Sequence, residues 1–362
     1  MKNNIFKGKK ILITGHTGFK GTWLSLWLNK LGADVVGYAL KPPTKPNLFE
    51  ICSIKDRIIS VTSDVRDFNK LQTVFREHKP EVVFHMAAQS LVKYSYAKPI
   101  ETFETNIMGT ANVLEACRHV PSVRAIVNVT SDKCYENLEL KRGYKESDRM
   151  GGNDPYSSSK GCAELISAAY TKAFFSVKDK KQRIFLASVR AGNVIGGGDW
   201  ASDRLIPDCI RAFEKNKPVI IRNPFAVRPW QHVLDPLFGY LLLARNLYED
   251  RPEFIGGWNF GPDNKNSKPV EWVVSSLVKK WGRTAFWEIE KKKTFNESHC
   301  LMLNSSKARA RLGWQPQWNL ETALTKTIDW YKAYYNNQNM EQFTMDQILE
   351  YEMEAYGRNV KK

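Results

Sequence analysis

Short apolar runs rich in β-branched residues recur along the first half of the chain and alternate with segments of helical periodicity. The runs that predict strands are ILIT, DVVGYAL, RIISVTS, EVVFHMAA, AIVNVTS and IFLASVR. Between them, segments such as LQTVFREH and NIMGTANVLEACRH place apolar residues three and four apart, which is the spacing of one helix face. Strands that alternate with helices indicate a parallel sheet covered on both faces. The pattern therefore predicts an α/β protein with a doubly wound parallel sheet.

The pattern changes beyond about residue 190, where GNVIGGGDW is followed by a proline-punctuated region and shorter elements. We expect a first domain over residues 1–189 and a smaller C-terminal, substrate-binding lobe over residues 190–340. A strand near Trp258, within the segment 232–262, is expected to return to the first sheet. Residues 341–362 predict a C-terminal helical tail suited to self-association.

Composition excludes some classes of protein. The 362 residues carry six isolated cysteines without metal-binding spacing, so neither a metal nor a disulfide scaffold is expected. No apolar run approaches a membrane span and no leader pattern is present, so we expect a cytoplasmic protein without membrane contact. The net charge of +16 comes from dispersed lysines without a nucleic-acid motif. This charge indicates a basic surface that would attract an anionic diphosphate substrate.

A glycine-rich turn follows the first predicted strand. The stretch ILITGHTGFKG places Gly15, Gly18 and Gly21 at the opening of a helix. Glycines there permit a tight turn, close approach of a pyrophosphate and close packing of helix on strand. The turn predicts a dinucleotide-binding, Rossmann-type first domain.

The acidic residue that usually holds the adenosine ribose is missing after the second strand, where Lys41 and Lys45 stand instead. The residues alone therefore leave NAD and NADP open. Asp64, in SDVRD after the third strand, is a candidate acceptor for the adenine amino group; the alternative interpretation is a helix N-cap.

The candidate catalytic couple is Tyr156 and Lys160, four residues apart in DPYSSSKGCAEL and hence on one helix face. A lysine cation beside a phenol favours the phenolate, which turns a weak base into a usable one. Ser131, in VTSDKCYEN at the end of a strand, can share the same substrate hydroxyl. Asp132 and Lys133 follow it directly and add an acid and a potential base, whereas Cys134 is interpreted as packing.

The order of these motifs resembles the extended short-chain dehydrogenase/reductase superfamily that acts on nucleotide sugars. The resemblance extends from about residue 8 to residue 320 and includes HMAA, NIMGT and RAGNVIGGGDW. It implies bound NAD, Tyr156 as the base, Lys160 on the nicotinamide ribose, and a homodimer or higher homo-oligomer. The cofactor-binding residues that it implies are Gly15, Thr17, Gly18, Phe19, Gly21, Asp64, Val65, Ala87, Ala88, Asn106, Tyr156 and Lys160.

Within that superfamily, SDKCYEN, GHTGFKG and RPWQHVLDP look closest to the CDP-glucose 4,6-dehydratases, in which a lysine replaces the glutamate of the dTDP-glucose branch. The resemblance implies elimination of water from a nucleotide sugar for deoxysugar synthesis of the lipopolysaccharide O-antigen type. Asp132 would protonate the C6 hydroxyl, and Lys133 would remove the C5 proton or stabilise the enolate.

On the substrate side, Arg190, Arg204 and Arg228 are isolated cations in apolar surroundings. Guanidinium groups bind diphosphates bidentately, so Arg228 is the first candidate, with Asn193 and Arg204 in support. His232 and Asp235 are interpreted as a structural hydrogen-bonded pair. Two alternatives remain open, which are a 4-epimerase on the same scaffold and a non-catalytic cofactor-sensing or nucleic-acid-binding protein.

Overall fold

The computed structural model describes residues 4–140, 142–175, 183–263, 266–282, 285–290 and 301–357. The strands, in chain order, are β1 Lys10–Thr14, β2 Asp34–Ala39, β3 Ile59–Thr62, β4 Val82–His85, β5 Ala125–Val129, β6 Phe185–Arg190, β7 Val194–Ile195, β8 Val219–Ile221, β9 Val227–Pro229, β10 Gln231–His232, β11 Gly256–Asn259, β12 Ser267–Pro269 and β13 Trp287–Ile289. The α-helices are α1 Phe19–Lys30, α2 Leu48–Ile51, α3 Phe68–His78, α4 Val92–Ala97, α5 Pro99–Phe103, α6 Gly109–Arg118, α7 Pro155–Ala173, α8 Leu205–Glu214, α9 Leu234–Tyr248, α10 Val270–Trp281, α11 Ser306–Leu312, α12 Leu320–Tyr335 and α13 Met340–Gly357.

Seven strands form one sheet in the order β11-β6-β5-β4-β1-β2-β3, and each neighbouring pair is parallel. The predicted doubly wound, Rossmann-type fold is confirmed. β11 comes from late in the chain and lies beside β6, with Trp258 opposite Val189. The sheet therefore crosses the boundary expected near residue 190, because its last strand is contributed by the segment 232–262.

The sheet is buried on both faces, which explains why its strands are almost continuously apolar. Ile11 and Ile13 of β1 point to one side, where α1 and α9 pack, while Leu12 points to the other side, where α3 and α6 pack. This alternation follows from the two-residue period of a strand. Two packed layers of helices therefore fix the ends of the strands, where the candidate site lies.

The later part of the chain forms short two-stranded pairs, β10-β7, β12-β9 and β13-β8, surrounded by α8, α10 and α12. Apolar residues of these helices, such as Phe213, Leu277 and Ile328, belong to the same core as α1 and α9. The smaller lobe is therefore packed directly on one layer of the sheet. Within the described ranges, no helix combines the length and the apolar character needed to cross a bilayer.

The terminal helix α13 packs on its own chain. Ile348 and Tyr351 are fully buried, and the Trp27 indole N–H donates to a Glu352 carboxylate oxygen at 2.7 Å. Self-association through this helix stays a prediction, and it would have to use the exposed side that carries Leu349 and Met353.

Asp235 at the start of α9 joins three distant segments. Its Oδ1 accepts from the Gln317 backbone N–H at 2.7 Å and from the Tyr351 hydroxyl at 2.8 Å, while its backbone carbonyl accepts from the Trp314 indole at 2.9 Å. Its other oxygen, Oδ2, has no partner within the described chain, so the expected hydrogen bond to His232 is wrong. Burial, despite these hydrogen bonds, raises the Asp235 pKa from its ordinary value of 3.8 to about 7.

Asp235→Asn is expected to remove part of the pH dependence of stability. The buried carboxyl keeps its proton up to a pH of about 7, whereas the unfolded chain releases it near 4, so wild-type stability falls as pH rises between these values. The full effect is roughly 4 kcal/mol, at about 1.4 kcal/mol per tenfold change in ionisation. Between pH 5 and pH 8 about 2–3 kcal/mol of this effect is expected, and urea unfolding of both proteins at these two pH values measures that part. Equal pH dependence in the two proteins would contradict the assignment.

Candidate active site

The candidate residues follow the carboxyl ends of neighbouring parallel strands. Gly15 follows β1, Ala87 follows β4, Ser131 follows β5 and Asn193 follows β6. In an open α/β sheet this edge is where ligands bind, because loops on opposite sides of the switch in strand order leave a crevice. The fold therefore brings together motifs that lie more than a hundred residues apart.

The glycine-rich turn is shaped for close backbone approach. Gly15 has a φ of +79°, and a Cβ on it would lie 2.7 Å from the Ala87 backbone nitrogen. A Cβ on Gly21 would lie 2.1 Å from the Gly15 carbonyl oxygen, and the Gly18 N–H donates to that oxygen at 3.1 Å. These side-chain-free positions leave the N-terminus of α1 accessible to a pyrophosphate, so the residues present fit a dinucleotide.

Two other candidate cofactor-binding residues, Thr17 and Asp64, form hydrogen bonds within the protein. The Thr17 hydroxyl donates to the Leu40 carbonyl at 2.9 Å. The Asp64 carboxylate accepts from the Arg66 backbone N–H at 2.9 Å and from its guanidinium at 2.7 and 3.0 Å. The N-cap of α3 is Asp67 rather than Asp64. The N-cap interpretation of Asp64 is therefore wrong, and its contact with adenine stays a prediction.

Asn106 connects the loop after β4 to helix α7 through side-chain hydrogen bonds. It lies in a π-helical segment, Glu104–Met108, and is buried. Its Oδ1 accepts from the Gln89 N–H at 2.9 Å, while its amide donates to the Gln89 carbonyl at 3.0 Å and to the Ser159 hydroxyl at 2.8 Å. This arrangement orients the loop that also contains Ala87 and Ala88.

Ser131, Asp132, Tyr156 and Lys160, here called the catalytic cluster, are all buried. The Ser131 hydroxyl donates to Asp132 Oδ1 at 2.9 Å. Gly192 leaves room for the other oxygen, since a Cβ there would lie 2.2 Å from Asp132 Oδ2. Acid and hydroxyl are thus held side by side at the end of β5, with the phenol of α7 close enough to interact with both.

Burial has opposite effects on the two residues of the α7 couple. It raises the Tyr156 pKa to about 12, although a hydrogen bond with Ser131 and the charge of Arg204 act in the other direction. It lowers the Lys160 pKa to about 8. The Lys160 amine approaches the Val129 carbonyl at 3.5 Å, at the end of β5. Tyr156 therefore needs an additional cationic group nearby before it can act as a base near neutral pH.

Lys133 and Cys134 follow the acid in a short 3₁₀ turn. The Lys133 backbone N–H donates to the Ser131 hydroxyl at 3.2 Å and fixes the turn, while its side chain is partly buried. Cys134 is fully buried, and burial raises its thiol pKa well above the ordinary value, so it packs rather than reacts.

His85 uses both ring nitrogens in hydrogen bonds, with the Thr14 hydroxyl at 2.7 Å and with the Thr110 hydroxyl at 3.1 Å.

The three arginines occupy different surroundings. Arg204, at the start of α8, donates to Asp199 Oδ2 and to the Ser90 hydroxyl, both at 3.0 Å, and its charge acts on Tyr156. Arg190 is buried in an ion pair with Glu164, with two N–O distances of 2.8 Å. The interpretation of Arg190 as an isolated cation is therefore wrong.

Arg228 and Asn193 lie farther along the smaller lobe. Arg228 is partly buried on β9 and donates to the Val227 carbonyl at 3.0 Å. Asn193 has a φ of +30° in the loop beside Gly192, and its carbonyl accepts from the Gln231 N–H at 3.3 Å. Their contacts with substrate stay predictions.

Comparison with known proteins identifies the family. The sequence model of a family described as GDP-mannose 4,6 dehydratase matches residues 12–327. The chain belongs to this family. A CDP-glucose 4,6-dehydratase from Salmonella typhimurium is 53% identical over 338 residues, covering 93% of this chain and 94% of the relative. A dTDP-glucose 4,6-dehydratase from Escherichia coli is 26% identical, covering 93% and 96%. The resemblance inferred from the motifs is confirmed.

Solved structures show the same fold. A UDP-glucose 4-epimerase from Thermotoga maritima with UDP-glucose superposes with a TM-score of 0.76 at 20% identity, covering 90% of this chain and 99% of that one. A dTDP-glucose 4,6-dehydratase from Bacillus anthracis in complex with NAD gives 0.74 at 23% identity, covering 91% and 99%. At these identities the similarity to the two solved structures shows a shared fold and nothing more.

Two features of this dehydratase-family site were missed from the sequence. Lys20, between Gly18 and Gly21, interacts electrostatically with Asp132, Lys160 and Arg204. Glu164, one turn after Lys160, pairs with Arg190 and accepts from the Thr130 hydroxyl at 2.5 Å. The sequence contained one signal for each of these residues. Lys20 is a lysine between two glycines, and Glu164 is a glutamate on the buried side of α7, where packing should favour an apolar residue.

Glu164→Gln is expected to destabilise the fold by about 3–5 kcal/mol, because it leaves the Arg190 charge buried without a counter-charge. Urea unfolding checks this value. The matched control is Glu350→Gln, which breaks an ion pair between Lys326 and an exposed glutamate and should change stability by less than about 1 kcal/mol. Equal losses in the two variants would show that the buried pair has no special role.

Proposed function

We propose that the protein is an NAD-dependent nucleotide-sugar 4,6-dehydratase that converts CDP-D-glucose into CDP-4-keto-6-deoxy-D-glucose and water. The observation that carries the proposal is the buried carboxyl of Asp132, held against Ser131 and within interacting distance of Tyr156. An epimerase has no elimination to catalyse and no use for this acid. The 53% identity to a CDP-glucose 4,6-dehydratase supports both the reaction and the cytidine nucleotide.

The cofactor residues that we propose surround the turn before α1. Gly15, Gly18 and Gly21 would let the pyrophosphate approach the backbone at the N-terminus of α1, with Thr17, Phe19, Val65, Ala87 and Ala88 around it, and Lys160 would hold the nicotinamide ribose. NAD, when bound, would supply the acceptor for the C4 hydride and the donor that returns it to C6, and its positive charge would favour the phenolate form of Tyr156. A solved relative of the same fold contains NAD, which supports this assignment.

Oxidation at C4 begins with proton transfer. Tyr156, as a phenolate favoured by nearby positive charge, removes the proton of the C4 hydroxyl, and Ser131 holds that oxygen. The resulting ketone acidifies C5–H because the carbanion at C5 is an enolate. The buried position of Tyr156 excludes water that would otherwise compete for the transferred groups.

Elimination then needs an acid and a base on adjacent carbons. Asp132 in its protonated form donates to the departing C6 hydroxyl, which leaves as water, while Lys133, the candidate base, removes the C5 proton. Overall the sugar loses one proton and one hydroxide, and no net oxidation occurs. Arg204, Arg228 and Asn193 are the residues that we propose for binding the sugar diphosphate.

The direct test incubates the purified protein and NAD with CDP-, dTDP-, GDP- or UDP-glucose in four separate reactions. A product with the alkaline ultraviolet absorbance of a 4-keto sugar is expected from CDP-glucose, with at least about tenfold lower rates for the others, since a lost base contact costs about 1–3 kcal/mol. Conversion of UDP-glucose to its 4-epimer without a keto sugar would favour the epimerase. Salt-dependent retention of DNA, with no turnover, would favour a binding protein.

We further propose a homodimer through the helices that border the site. α5, the π-helical segment and α7 expose large apolar side chains, of which Ile100 is 66%, Met108 54% and Leu165 62% exposed. Large apolar side chains exposed on neighbouring helices are typical of a protein–protein interface.

The cytoplasm is the compartment that we propose, since the described cysteines are free thiols.

Leu165→Glu is expected to convert the dimer into a monomer, because a charge placed at the centre of an apolar interface must be desolvated on association. Light scattering coupled to size exclusion measures the mass. Leu349→Glu, on the exposed side of α13, is the control and should leave the mass unchanged. A monomer from Leu349→Glu alone would instead assign the interface to the C-terminal helix.

A further inference from the structure

We propose that Tyr135 is a positioning residue of the elimination, because its buried hydroxyl holds one end of the turn that carries the acid Asp132. The inference rests on the proposed dehydratase function, and it gives Tyr135 a role that is exerted through the acid rather than on the sugar. Residues 131–134, here called the catalytic turn, are held at both ends by one buried ion pair, that of Glu164 with Arg190.

The ion pair joins helix α7 to the sheet. Arg190 is the last residue of β6, and its guanidinium donates to both carboxylate oxygens of Glu164 at 2.8 Å. The two side chains are 4% and 6% exposed. A bidentate pair of this kind fixes orientation as well as distance. Its two partners can therefore act as a rigid support for the residues that bond to them.

The first end of the catalytic turn is bonded to the carboxylate of this pair. Thr130, which follows β5 directly, donates its hydroxyl to Glu164 Oε1 at 2.5 Å. The Thr130 backbone N–H donates to the Val189 carbonyl at 2.9 Å. Ser131 is the next residue, so its position is set by the strand and by the Thr130 contacts together.

The second end is bonded to the guanidinium of the same pair. The Tyr135 hydroxyl accepts from Arg190 Nη1 at 2.5 Å and donates to Asn259 Oδ1 at 2.8 Å. Asn259 is the last residue of β11, and its own amide donates to the Tyr144 carbonyl at 2.7 Å. The backbone around Tyr135 pairs with the loop of residues 149–151. The hydroxyl therefore supplies the link from this end of the turn to two strands of the sheet.

Asp132 lies between these two supports. The Ser131 hydroxyl donates to its Oδ1 at 2.9 Å, and a Cβ on Gly192 would lie only 2.2 Å from its Oδ2. Gly192 follows Arg190 by two residues, so the ion pair that holds the turn also holds the surface on which the acid packs. A misplacement of about 1 Å can cost about 100-fold in rate. Elimination should therefore be sensitive to the Tyr135 hydroxyl.

Loss of that hydroxyl should affect the two chemical steps differently. Ser131, which holds the C4 oxygen, lies beside the end that Thr130 keeps fixed, whereas Asp132 depends on the released end as well. In Tyr135→Phe, reduced cofactor should form within about threefold of the wild-type rate, while elimination should slow by about 10–100-fold. Stopped-flow absorbance with NAD and CDP-glucose should therefore show reduced cofactor that accumulates.

A second variant and a double variant sharpen the test. Asn259→Ala removes the acceptor of the Tyr135 hydroxyl but leaves Arg190 its own acceptor, so it decides the matter if Tyr135→Phe does not fold; it should also accumulate reduced cofactor. A double-mutant cycle shows through which group the hydroxyl acts. Tyr135→Phe added to Asp132→Asn should slow elimination by less than about twofold, because the acid that it positions is already gone.

Tyr351→Phe is the matched control. It also removes a buried hydroxyl that donates to a side-chain oxygen at 2.8 Å, but this oxygen belongs to Asp235 on α9. The variant should lose stability in urea unfolding, as Tyr135→Phe does, and should keep the wild-type rates of both chemical steps.

Several results would overturn the proposal. Accumulation of reduced cofactor in Tyr351→Phe as well, or equal slowing of the two steps in Tyr135→Phe, would make Tyr135 a structural residue only. A double variant more than about twofold slower than Asp132→Asn would show that the hydroxyl acts through another group. Unchanged kinetics in Tyr135→Phe and Asn259→Ala would remove the positioning role alone. Failure of the wild-type protein to form a keto sugar from any of the four nucleotide sugars would instead remove the proposed function itself.

Discussion

Asp132→Asn is expected to stop the reaction after the first oxidation. Asparagine keeps an oxygen that can accept from the Ser131 hydroxyl, so the site should retain its shape and its affinity for substrate. It has no acidic proton for the departing C6 hydroxyl, and loss of a general acid costs about 10²–10⁴-fold in rate. Stopped-flow absorbance should therefore show reduced cofactor that forms at the wild-type rate and then persists.

The matched control is Asp250→Asn, at a surface position where an asparagine suits the backbone φ of +63°. Its turnover and its transient absorbance should equal those of the wild type. Full turnover in Asp132→Asn would remove the carboxyl from the mechanism, and the 4-epimerase would then become the better interpretation of the site.

Tyr156→Phe is expected to block the reaction one step earlier. The phenyl ring fills the same buried space, but the C4 hydroxyl has no base, so turnover should fall by about 10²–10⁴-fold and no reduced cofactor should form. Bound NAD and substrate affinity should change little. Rapid-quench analysis with CDP-glucose distinguishes this block from the later one in Asp132→Asn.

Tyr170→Phe is the control on the same helix, where the hydroxyl contacts Glu115 at 3.1 Å and no residue of the catalytic cluster. It should retain wild-type turnover. Formation of reduced cofactor at the wild-type rate in Tyr156→Phe would show that another group accepts the C4 proton, and the catalytic cluster would have to be reassigned.

The parts of this protein that the sequence determined are those that depend on short-range pattern. Buried parallel strands are continuously apolar, glycines at fixed spacing mark a turn where backbone approaches ligand, and a tyrosine and a lysine four apart lie on one helix face. Each rule connects neighbours along the chain. The sheet, the turn before α1 and the couple of Tyr156 and Lys160 were accordingly predicted from residues alone or from their order.

Tertiary structure alone decided which charges meet. Arg190 looked like a free cation, yet Glu164 on another element neutralises it. Asp235 was expected to bond His232, yet its partners come from residues 317 and 351. Electrostatic and hydrogen-bond partners depend on distances across the fold, which a linear pattern does not contain, whereas burial sets their strength.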